Sequence, residues 1–80
     1  MDDNSILWLA FKYAMQRRGM ALQLVSSHIR KKIEVLPTEF LKDIEADIKS
    51  VFADKPAEDG YLEAKILLTA IKRELYGEKE

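Results

Sequence analysis

The chain has 80 residues, 34% of them charged and 48% hydrophobic, with a formal net charge of −1. That length allows one domain, 1–80, with a small core, and that composition excludes a disordered chain. There is no cysteine, which excludes a disulfide framework or a thiolate metal site, and no run approaches the ~18 apolar residues of a membrane span.

Charge is uneven along the chain. Residues 1–32 hold six Lys/Arg against two acids, +4, and residues 33–80 hold seven against twelve, −5. The asymmetry fits either a basic face for a polyanion or two halves that attract each other across the fold. The acidic start, M-D-D-N-S, is unlike the basic head of a secretory signal, so a cytoplasmic location is expected.

Three glycines and two prolines leave room for long helices, and the spacing predicts four, at about 5–18, 21–34, 38–53 and 59–76. The first is apolar almost all round, so it is either the centre of a small bundle or partly reserved for a partner. Leu7, Ala10, Phe11 and Ala14 are assigned to the core. Arg17 and Arg18 suit its C-terminal dipole, and Gly19 suits a left-handed stop. In the second helix Leu22, Val25, Ile29 and Ile33 form the apolar stripe. Gln23, Ser26, Ser27, Arg30 and Lys31 form the other face.

Pro37 ends that helix, and Thr38 is expected to cap the third. The third helix presents Phe40, Leu41, Ile44, Ile48, Val51 and Phe52 on one face. Lys42, Asp43, Glu45, Asp47 and Lys49 lie opposite, as a solvated surface. Pro56 and Gly60 break the next loop. The fourth helix buries Tyr61, Ala64, Leu68, Ile71 and Leu75, flanked by Leu62, Ile66 and Leu67, and stops at Gly77. Short links favour antiparallel neighbours, so the expected architecture is a compact all-α four-helix domain.

The chemistry-bearing residues are few. One His, no Cys and no calcium-loop spacing leave no metal site or cofactor to expect. Ser26, Ser27 and His28 are adjacent in sequence, but helical neighbours at i and i+1 do not face each other. No phosphate loop, dinucleotide fingerprint or nucleophile elbow is present, so no catalytic residue is assigned and the chain is read as a non-enzyme. What remains is binding. Trp8, Tyr13, Arg17, Arg18, Arg30, Lys31 and Lys32 are the candidate contact residues, because Trp, Tyr and Arg dominate interface hot spots. The same cations would suit a phosphate backbone, with binding that weakens steeply in salt. The acids of the third helix argue against its use as a recognition helix.

The segment A-F-K-Y-A-M-Q-R-R, Ala10 to Arg18, resembles an A-[LF]-[KR]-Y-A-[LM]-x-R-R pattern in small helical proteins of tailed bacteriophages and prophages. The resemblance continues more weakly through L-K-D-I-E-A-D-I, Leu41 to Ile48, and into the last helix. Gly19 and Met20 stand where those proteins commonly carry a polar residue and an aromatic. The resemblance implies a phage protein made in bacterial cytoplasm, acting on a host or defence component, and no catalytic residue. The expected function is therefore binding of a protein partner. Nucleic-acid binding and self-assembly into a homo-oligomer are the alternatives, and no membrane partner is expected.

Overall fold

A computed structural model describes residues 3–52, 55 and 58–77. They form four helices and no strand: α1 (Asp3–Arg17), α2 (Gly19–Lys31), α3 (Thr38–Phe52) and α4 (Tyr61–Tyr76). The domain is all-α, as its sequence implies. None of these helices is long and apolar enough to cross a membrane. Pro56 lies outside the described residues.

The helices pack in the order α1, α2, α4, α3, and side-chain bonds from α1 to α3 link the two ends of that series. The hairpins α1–α2 and α3–α4 follow their short links, whereas successive α2 and α3 are not main packing partners, so residues 32–37 carry the chain across one end of the bundle. All four helices feed one core through Phe11, Leu22, Ile29, Leu41, Ile44, Leu67 and Ile71, each almost fully buried.

Helix ends differ from the sequence expectation where backbone chemistry overrides pattern. α2 stops at Lys31, and the next N–H groups make tighter bonds, Lys32 to Ile29 O and Ile33 to Arg30 O. The turn carries Leu36 into the core just before Pro37, which disfavours helical geometry in its predecessor. Pro37, not Thr38, takes the cap position of α3, since its carbonyl accepts from the Leu41 N–H at 3.2 Å. α4 begins at Tyr61, not Asp59, because Gly60 has φ +86° and the Ala64 N–H bonds to its carbonyl. Gly77 closes α4 in the left-handed conformation, as its position predicts.

Several faces also differ. Ala10 is exposed, as are Leu62 and Ile66, all expected inside. Ser26, expected outside, is fully buried on the Leu22–Ser26–Ile29 stripe, and its hydroxyl has no hydrogen-bond partner among the described residues. An unsatisfied buried hydroxyl costs on the order of 1–3 kcal/mol. Ser26→Ala is therefore expected to raise stability by about 1 kcal/mol in chemical denaturation.

Candidate docking face of the α1–α2 hairpin

α1 is not enclosed. Its core stripe is Leu7, Phe11 and Ala14, but Ile6, Leu9, Ala10 and Tyr13 face outward. At 100° per residue, Ile6, Ala10, Tyr13 and Arg17 fall on one line. From α2, Met20 and Leu24 are also exposed; Leu24 lies off the Leu22–Val25–Ile29 stripe. Ile6, Tyr13 and Leu24 are 54%, 58% and 65% exposed.

Between the helices runs an open groove of about 490 Å³, lined by Ile6, Ala10, Tyr13 and Ala14 on one side and by Leu24, His28 and Lys32 on the other. Ala10, Ala14 and Ala21 leave space for it, since small side chains leave room between two helix backbones.

The charge around it has one sign. Residues 4–33 contain Lys12, Arg17, Arg18, Arg30, Lys31 and Lys32 and not one Asp or Glu. Two of these cations are occupied from elsewhere in the fold. Lys12 pairs with Asp47 and Asp43 of α3, and Arg18 with Glu58. Arg17 lies over the Tyr13 ring, 5.7 Å from its centroid, at the groove's corner end. Lys32 lines the other end, and Lys31 is exposed beside it.

The candidate contact residues therefore separate. Trp8 is half-buried at the α1–α3 seam and donates its indole N–H to Asp43. Lys12 sits over its ring at 4.7 Å and binds Asp47. Asp43 and Asp47, read from the sequence as a solvated face, thus hold α1 against α3. Arg18 is turned into the fold. It donates from Nε to Met15 O and from Nη1 to Asp59 O at 2.7 Å, and covers the Phe52 ring. Tyr13, Arg17 and Lys32 border the groove. Arg30 points to the other side of α2 and lines a smaller cleft with Lys65, Ile66, Thr69 and Arg73 of α4. Arg30 and Lys32 do not share a face.

Glu45 is the second misplaced polar residue. It is buried at 7% exposure, accepts from the Tyr76 hydroxyl at 2.9 Å and pairs with Lys49 at 3.1 Å. Its membership of the Leu41–Glu45–Ile48–Phe52 stripe, spaced i, i+4, i+7 and i+11, is the signal that places it inside. Burial alone would push its carboxyl up. The hydrogen bonds from Tyr76 and Lys49 and the charges of Lys49 and Lys72 together outweigh this and hold it below its ordinary value. A depressed carboxylate stabilises the fold above its unfolded pKa and loses that contribution as pH falls through the folded value. Glu45→Gln is expected to cost about 1 kcal/mol at neutral pH and to make stability fall less steeply in acid, read from denaturation at several pH values.

Ser26 is sealed in the core while His28 lines the groove, so these two do not meet. Among the described residues no group of three or more His, Asp or Glu side chains is placed to hold a metal ion. No protein family, curated protein or solved structure matches the chain.

Proposed function

We propose that this domain is a non-catalytic interaction protein that binds another protein through the outward face of its α1–α2 hairpin. The observation that carries this reading is the set of exposed apolar side chains on the hairpin, Ile6, Leu9, Tyr13, Met20 and Leu24, of which Ile6, Tyr13 and Leu24 line a groove, on a stretch of chain without a single carboxylate from residue 4 to residue 33. Covering each of these five side chains would contribute roughly 1 kcal/mol. That sum, about 5 kcal/mol before the cost of association, falls short of the ~8 kcal/mol of a micromolar complex, so charged contacts and further partner surface have to supply the rest. The resemblance to small phage and prophage proteins directs the search to bacterial cytoplasm and to a host or defence protein.

The test is affinity capture from a nuclease-treated bacterial lysate. A protein is expected to be retained stoichiometrically; a bare column would remove the reading.

A second reading has one observation in its favour. Arg30, Lys65 and Arg73 converge across α2 and α4, and no acid lines their cleft. Phosphate contacts there would suit a nucleic acid. Titration against duplex DNA at two salt concentrations separates the two readings, because phosphate binding falls steeply with salt.

A further inference from the structure

We propose that the occupant of the α1–α2 groove is an acidic amphipathic helix of a protein partner. This rests on the reading of the hairpin as a docking face and adds the chemistry of what docks there. The groove is an elongated concavity between two helices. Its walls are stripes at helical spacing, Ile6, Ala10 and Tyr13 on one side against Ala21 and Leu24 on the other, with the polar His28 continuing the second wall. A helix laid into such a groove presents its own residues at i, i+3, i+4 and i+7. From Ile6 to Tyr13 the wall runs about 10 Å, so two to three turns of a partner helix would fill it.

Charge selects the partner. Once Lys12 and Arg18 are matched by α3 and by Glu58, Arg17 at one end and Lys31 and Lys32 at the other still bracket the groove. An apolar helix stripe flanked by Glu and Asp would meet this bracket on both sides, and a basic one would be repelled.

Two other occupants fit worse. A second copy of this chain, docked by a two-fold axis across the groove, would bring Arg17 of one copy towards Lys32 of the other, a like-charge contact that costs affinity. An anionic bilayer would be met by protruding side chains such as Met20 and Leu24, but a flat surface leaves the floor at Ala10, Ala14 and Ala21 unfilled.

The probe is a labelled helical peptide of three turns, with leucines at i, i+3, i+4 and i+7 and glutamates elsewhere. It is compared with the same peptide carrying lysines in place of the glutamates, using fluorescence polarisation. The glutamate peptide is expected to bind and the lysine peptide not. Leu24→Glu is expected to weaken the glutamate peptide at least about tenfold, and Leu62→Glu on α4 to leave it unchanged. Both positions are exposed, so both variants are expected to fold, which a thermal melt checks. Equal binding of the two peptides, no binding of either, or indifference to Leu24→Glu would overturn the proposal. If phosphatidylglycerol vesicles bind the protein when the glutamate peptide does not, the face belongs to a membrane. A dimer in sedimentation equilibrium with no peptide binding would assign it to a second copy. If the peptides fail while capture of a lysate protein still depends on Leu24, only the acidic helix is wrong; if capture fails as well, the docking face is wrong.

Discussion

Arg18→Ala is expected to destabilise the domain by about 3 kcal/mol, a loss of roughly 15 °C in melting temperature for a chain of this size. Arg18 lies alone between α1 and α2, at φ +62° and ψ −163°, a region that side-chain-bearing residues rarely adopt. Such strain persists only where surrounding contacts over-determine it. Here the guanidinium supplies those contacts. It reaches Met15 O in the last turn of α1 and Asp59 O before α4, pairs with Glu58 and lies 4.7 Å from the centroid of the Phe52 ring. The alanine variant keeps the strained backbone and loses all four. Arg18→Gly relieves the backbone and loses the same contacts, so it is expected to be about 1 kcal/mol more stable than Arg18→Ala. Arg18→Lys is expected to behave like the alanine variant, because a single ammonium cannot reproduce a planar fork that bonds two carbonyls and stacks on a ring. If the ranking of glycine and alanine were reversed in urea denaturation, the strain would not reside at this residue.

Gly60→Ala is expected to cost about 2–4 kcal/mol, and it probes the same corner from the other side. A Cβ on Gly60 would stand 2.6 Å from Leu22 Cδ2, 3.6 Å from Arg18 Cδ and 3.8 Å from Phe52 Cζ. Leu22 is fully buried and has nowhere to swing, so the new methyl overpacks the core. The backbone at φ +86° adds a further penalty for any side chain. Gly77→Ala is the control. It also has positive φ, but its Cβ would meet nothing within 4 Å, so only the backbone penalty of about 1 kcal/mol is expected. Denaturation midpoints of the two variants therefore separate packing from conformation.

Helical periodicity and Gly/Pro punctuation were enough to find four helices and most of the core, because burial of one stripe dominates where helices sit. Polar placement was not legible in the same way. Asp43 and Asp47 read as solvated because their partners, Trp8 and Lys12, are 35 residues away, and no local spacing reveals a cross-bundle pair. Glu45 and Ser26 were legible in principle, since each lies on a line of buried residues, but residue type outweighed position. Arg17 and Arg18 are chemically alike and adjacent, yet one borders the groove and the other clamps a loop. That division depends on the corner at Arg18, where a non-glycine positive φ has no sequence signature. The groove itself was half visible. Tyr13 and Arg17 stood out, whereas Ile6 and Leu24 belong to neither the apolar stripes nor the candidate contact set, and only the packing of α1 as an outer helix brings them into view.

The central claim is that the α1–α2 face, and not the apolar side chains exposed elsewhere, makes the functional contact. Leu24 and Leu62 allow a matched comparison, since they are 65% and 71% exposed on different helices. The decisive measurement is parallel affinity capture from a nuclease-treated lysate with the unaltered protein, Leu24→Glu and Leu62→Glu, each confirmed to melt normally. Loss of the retained protein with Leu24→Glu and full retention with Leu62→Glu is the predicted result. Retention by both variants, or loss with Leu62→Glu alone, would contradict the claim.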